Sequence, residues 1–319
     1  MEQLEPKKED GKKNKASSSY PPLNCESFCA DSVLRSNSKQ LFQYYTGFQH
    51  DTFTGLFNFL VPDLHESPLV YKERKAACRK VGLKDQLFLV LCRLRNGLHM
   101  KDLAFRFQVS IQVASIIFST WIKYMYFRLG SLSLWPDRSI LIENMPKKFR
   151  EEFPTTLAII DCTELKTERP TSLKSQSQCY SEYKSSPTLK ALVVTDPRGS
   201  VMFTTELFTG SISDKEIFQQ GHFFELLADL LKEGKINQGD GLMADKGFRI
   251  EEEVNKLGLV LNMPPLASAA TQMKPSHVTL TRKIARHRIH IERAIRRIKN
   301  FKILSRRIPI SLFGNINEI

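Results

Sequence analysis

A chain of 319 residues with 41% apolar side chains is long enough for one large or two ordinary domains, and it contains no apolar run approaching the roughly 18 residues of a membrane helix. Lys and Arg number 47 against 34 Asp and Glu, a formal charge of +13, which directs attention to a polyanion such as nucleic acid. No basic amphipathic helix bordered by aromatics points to a membrane, no signal peptide is read, and six scattered cysteines suit reduced thiols rather than a disulfide framework.

Residues 1–38 read as a basic tail. The opening "MEQLEPKKEDGKKNKASSSYPP" is too polar to order itself, and its lysines suit either a nuclear address or a merely solvated tail. Cys25 and Cys29 have the spacing of half a zinc site, but no second pair follows nearby, so no zinc is expected. Residues 39–130 carry helical spacing. Leu83, Leu87, Val90, Leu91 and Leu94 mark one face of a helix that Asn96-Gly97 should end, because glycine accepts the left-handed conformation of a helix C-terminus. "KDLAFRF" predicts a short helix and "QVS" a turn, and Ser110 can cap a third helix through "IQVASIIFSTWIKYM". In that helix Val113, Ile117, Trp121 and Tyr124 face inward, while Gln112, Ser115, Ser119 and Lys123 face out as candidate DNA contacts. Short helix, tight turn and longer helix make the pattern of a helix-turn-helix reader.

Residues 131–154, rich in proline and charge, read as a connector. From residue 155 to 319 the periodicity changes. "TTLAII", "LKALVVTD" and "VMFTTELF" are short strand-like runs, the last two joined by "PRG", a hairpin signal; two helical stretches and "LVLNM" follow, and a basic helix comes last. The order predicts an α/β domain with a mixed sheet.

Three acids stand out. Asp161 directly follows the apolar run Leu157 to Ile160; its ordinary role would be to cap an exposed turn. Asp245, in "ADKGF", has the ordinary role of a turn or N-cap aspartate. Glu292 is the one carboxylate between Gln272 and Ile310, a stretch holding twelve Lys and Arg. If 282–299 is helical, Ile284, Ile291, Ile295 and Ile298 form its buried stripe and Glu292 sits on the border, with Arg288 and Arg296 one turn away on either side. A surface ion pair would account for the charge but not for its place at the edge of the buried stripe. Three converging carboxylates suit hard divalent cations such as Mg2+ or Mn2+, two of which can stabilise the attacking and leaving oxygens of a phosphodiester.

In order and wording, "IIDCTELKTERP", "YSEYKSSPTLKALV", "GSISDKEI", "MADKGF", "LNMPP" and "ARHRIHIERAIRRIKNFKIL" resemble the signatures of the Asp-Asp-Glu transposase superfamily, in its Harbinger-like eukaryotic branch. The resemblance implies an RNase H-like core, a five-stranded mixed sheet with flanking helices, preceded by an all-α helix-turn-helix domain. It places the catalytic and metal-binding acids on Asp161 in the first strand, Asp245 at the fourth and Glu292 on the following long helix. It implies two Mg2+ or Mn2+ ions, DNA cleavage leaving a 3′ hydroxyl, and strand transfer in a competent transposase. Asp214 lies in a family motif but, with Ser213 and Glu216 forming a capping box, reads first as a helix cap; Glu164 is not expected to bind metal. Lys184, Lys190, Arg286, Arg288 and Arg296 are candidate phosphate contacts. The ending "GNINEI" precedes a final helix of the family, so the chain reads as C-terminally shortened. No accessory DNA-binding module precedes the helical region, which leaves targeting to the helix-turn-helix or to a protein partner. An oligomer is compatible with this reading, as is a nuclear location that need not exclude the cytoplasm. The rival reading is a host-adopted, catalytically silent DNA-binding adaptor.

Overall fold

The computed structural model describes residues 28–35, 39–63, 67–265 and 274–319. Most of the expected tail, with Cys25, lies outside the described residues; Cys29, Cys78, Cys92, Cys162 and Cys179 are free thiols.

Helices Leu83–Asn96, Met100–Arg106 and Ile111–Gly130 build the first apolar core. Gly97, at φ +62°, ends the first of them as its N–H bonds back to the Arg93 carbonyl, and Ser110 caps the third by accepting from the Val113 N–H. The last two helices turn by 105° about "QVS", a helix-turn-helix angle. Their core is specified by one polar residue. Gln86 is 1% exposed; its oxygen accepts from the Tyr71 hydroxyl and the Trp121 indole at 2.5 and 2.9 Å, while its amide donates to the Cys78 and Val81 carbonyls. The buried Tyr71 hydroxyl and Trp121 indole both find their partner in that single side chain.

Among the described residues seven strands form the sheet: β1 Thr156–Lys166, β2 Tyr180–Ser181, β3 Ser186–Thr195, β4 Val201–Thr204, β5 Phe208–Thr209, β6 Gly241–Met243 and β7 Val260–Asn262. The order is β2-β3-β1-β6-β7, with β4 and β5 also paired to β3. The five longer strands give the expected mixed sheet, and the two-residue β2 and β5 extend it along β3. β1 lies where the sense of the sheet changes, antiparallel to β3 and parallel to β6. "PRG" makes the β3–β4 hairpin with Gly199 at φ +87°, and a Cβ there would stand 2.7 Å from the His290 carbonyl oxygen.

The second core lies on the sheet. Helices Asp214–Gln220 and Phe223–Lys232 contribute Ile217, Phe218, Phe223 and Leu227, and the long helix Pro275–Ile298 contributes Ile284 and Ile291. The stretch expected to be a connector holds short helices Arg138–Glu143 and Lys147–Glu152, and Leu141, Met145, Phe149 and Phe153 close this core. Leu141 and Phe149 come from the two helices and Met145 and Phe153 from just beyond their ends, and Arg138 anchors the segment by donating twice, at 2.8 Å, to the Asp240 carboxylate. Ile303, Ile308, Leu312 and Ile316 return the chain to the first core, which ties the two together.

Candidate active site

Strand pairing brings the first two acids together. β1 and β6 are parallel neighbours, with Ile159 paired to Met243. Two residues further along each chain stand Asp161 and Asp245. An even step returns to the same face of the pleat, and neighbouring strands lie about 4.8 Å apart. β6 ends at Met243 whereas β1 continues to Lys166, so the edge of β1 beyond Ile160 opens into a cleft with Asp161 at its start.

The long helix Pro275–Ile298 closes that cleft. Arg288 reaches from it to both acids, Nη2 lying 3.2 Å from Asp161 Oδ2 and Nη1 lying 3.2 Å from Asp245 Oδ1. The Arg288 side chain is 12% exposed, Asp161 23% and Asp245 46%. Burial pushes the Asp161 carboxyl up from its ordinary 3.8 to about 6; Arg288 opposes the rise, Asp245 adds to it, the Cys162 N–H opposes it with a 3.0 Å hydrogen bond, and Asp214 adds slightly more. The Lys246 N–H donates to Asp245 at 2.8 Å.

Two further residues shape the site, one read in the sequence first as a helix cap and one passed over. Asp214 opens its helix inside the Ser213–Glu216 capping box, as expected, but its carboxylate also lies 2.6 Å from Lys190 Nζ, and a Cβ on Gly247 would meet it at 3.1 Å. It therefore stands beside the turn that carries Asp245. Burial, and then Asp214, raises the Cys162 thiol. The second residue, His287, is buried in the helix face where only isoleucines were expected. Its Nδ1 meets the Lys283 carbonyl at 2.8 Å, and the Phe149 and Phe153 rings pack edge-on against it. This docks the helix on the segment 138–153 and fixes where the next residue, Arg288, projects. The signal for Asp214 was its motif; His287 gave none beyond its helical spacing.

Glu292 is exposed, one turn beyond Arg288, and makes no hydrogen bond or ion pair with the described residues. It shares a helix face with Arg288 and with Lys299, which follows the helix and whose ammonium donates to the Glu164 carbonyl of β1 at 2.9 Å. Burial, and then Lys184, lowers the Lys299 ammonium. The Glu164 side chain accepts from the Thr188 hydroxyl.

The candidate DNA contacts divide in two. Lys190 is bound to Asp214 and to the Ile212 carbonyl, and Arg288 is committed to the aspartates. Arg286 and Arg296 are exposed, as is Lys184, which lies 4.2 Å over the Tyr183 ring. On the helix Ile111–Gly130, Gln112, Ser115 and Lys123 are exposed, and the half-buried Ser119 donates its hydroxyl to the Ser115 carbonyl.

Two carboxylates meeting on one cationic group have the donor chemistry of a hard divalent ion, and in that respect Asp161 and Asp245 fit one. Among the described residues no three ligating side chains are gathered, and the point between the two aspartates is held by a guanidinium.

Residues 79–131 match the helix-turn-helix of DDE superfamily endonuclease, and residues 160–319, half of the chain, match DDE superfamily endonuclease itself. No match is found among curated proteins. The second match begins one residue before Asp161 and takes in Asp245, Arg288 and Glu292, the same stretch over which sheet and long helix assemble the cleft; the chain belongs to the DDE superfamily of endonucleases.

Proposed function

We propose that the chain is a transposase-derived, divalent-metal-dependent DNA endonuclease of the Harbinger-like branch, with Asp161, Asp245 and Glu292 as its catalytic acids. The observation that carries this reading is the register of β1 and β6, which delivers Asp161 and Asp245 from parts of the chain 84 residues apart to one cation. Mg2+ or Mn2+ held there would supply activation of water and charge stabilisation of the leaving oxygen. The protein's own part is positional. β1 and β6 fix the two aspartates, the long helix carries Glu292, and Arg286, Arg296 and Lys184 hold the phosphate backbone. The helical region 39–130 reads DNA through Gln112, Ser115, Ser119 and Lys123, residues 155–319 form the nuclease domain, and the protein works in the nucleus.

A second reading, a silent DNA-binding adaptor, draws on the guanidinium between the aspartates and the exposure of Glu292. Nicking of supercoiled plasmid in Mg2+ or Mn2+, compared among wild type, Asp161→Ala and Glu292→Ala, separates the two. The nuclease reading requires nicking that both substitutions abolish. Equal nicking by all three sinks it, and DNA binding without nicking by any of them supports the adaptor.

A further inference from the structure

Arg288 differs from the other cations of its helix. Arg282, Arg286, Arg293 and Arg296 are exposed, whereas Arg288 turns inward and places one terminal nitrogen on each aspartate. Its Nε is buried without a hydrogen-bond partner, so the grip rests on the two Nη contacts. In a partly dry cleft where Asp161, Asp245 and Asp214 lie near one another, a positive charge is needed to offset carboxylate repulsion, and the fold supplies one from the helix.

The same oxygens cannot serve two cations. A small divalent ion takes carboxylate oxygens at about 2.0–2.2 Å, inside the space the guanidinium spans, and the two positive charges would repel at close range. Resting on the metal-dependent reading above, we infer that Arg288 is the resident counter-ion of the metal-free site, an autoinhibitory contact that must leave Asp161 and Asp245 before a divalent cation can enter. Metal affinity is then set by competition with a tethered side chain, and Arg288 acts as a gate on the site.

The test measures metal binding with the full chain and no DNA. Mn2+ affinity is determined by calorimetry for wild type, Arg288→Ala, Arg288→Lys and Asp161→Ala, with circular dichroism to check folding. Arg288→Ala should bind Mn2+ at least tenfold more tightly than wild type. Arg288→Lys should fall between them, since an ammonium cannot bridge both carboxylates as a planar fork does. Asp161→Ala should lose the binding. A second measurement needs no substitution: phenylglyoxal labelling of Arg288, read by peptide mass spectrometry, should rise when Mn2+ is added to wild type. Equal Mn2+ affinity in wild type and Arg288→Ala, or unchanged labelling of Arg288 at saturating Mn2+, overturns the gate while leaving a metal site in place. Tight binding that survives Asp161→Ala puts the ion elsewhere and also overturns it. Absence of binding in every variant removes the metal-dependent reading itself, and the gate with it.

Discussion

Asp161→Asn should make the metal-free protein more stable at neutral pH. The Asp161 side chain is 23% exposed, and burial lifts its carboxyl from 3.8 to about 6 despite Arg288. Because the folded value is the higher, the folded state keeps the proton between about pH 4 and 6 while the unfolded chain has lost it. Stability from this group is full below about pH 4, falls through that window and levels off above about 7. At 1.36 kcal/mol per pH unit the loss reaches about 3 kcal/mol. Asparagine resembles the protonated form, so the variant should gain up to about 3 kcal/mol at pH 8 and match wild type at pH 4. Urea unfolding in EDTA from pH 4 to 8 tests this. A Trp121→Phe background would leave Trp135, which lies in the sheet core against Phe223, as the fluorescent reporter. Parallel stability profiles for the two proteins, or an asparagine variant less stable at pH 8, would refute the claim that the folded site holds an electrostatically costly carboxylate.

Three further substitutions probe the scaffold. Gln86→Leu strands the Trp121 indole and the Tyr71 hydroxyl in a dry core and takes a donor from the Val81 carbonyl, and should cost about 3 kcal/mol of stability in urea unfolding. Gly199→Ala forces a side chain onto a left-handed backbone and a Cβ to 2.7 Å from the His290 carbonyl; a loss of about 2 kcal/mol is expected, and a neutral result would show that the hairpin relaxes away from the long helix. Lys190→Met leaves Asp214 without its cation beside Asp161, at about 2 kcal/mol given that the pair is only partly buried. Asp214→Asn should recover most of that loss in a double-mutant cycle.

Where a feature depends on neighbours along the chain, it was legible in the sequence. Gly97, Ser110 and the Ser213–Glu216 box end or begin helices as local rules require, and Val113, Ile117 and Trp121 are buried as their spacing demands. The segment 134–154 misled because Pro136, Pro146 and Pro154 mark breaks, while the every-fourth spacing of Leu141, Met145, Phe149 and Phe153 runs across two helices and one of those prolines. His287 was hidden for a different reason: its burial is compensated by the Lys283 carbonyl and aromatic rings contributed by the segment 138–153, partners that no periodicity reveals. Proximity of Asp161 and Asp245 needs the pairing of β1 with β6, a long-range choice that the alternation of either strand leaves open.

Charge counting shows the same division. Twelve cations between Gln272 and Ile310 suggest one uniformly basic surface, but the fold allocates them. Lys283 lies 3.6 Å from Glu152, Arg288 bridges the aspartates, Arg297 donates to the Gly199 carbonyl and Lys299 to that of Glu164. Arg282, Arg286, Arg293 and Arg296 stay exposed, and at about 100° per residue they fall in a single stripe opposite Ile284 and Ile291. Glu292 lies between the two sets, about 40° round the helix from Arg288 on the side toward the outer stripe. A phosphate backbone laid along that stripe would run beside Glu292 and the mouth of the Asp161–Asp245 cleft. A lysine or arginine at 292 would extend the stripe but remove the carboxylate that the proposed site requires, which is a physical reason for one negative charge among so many positive ones.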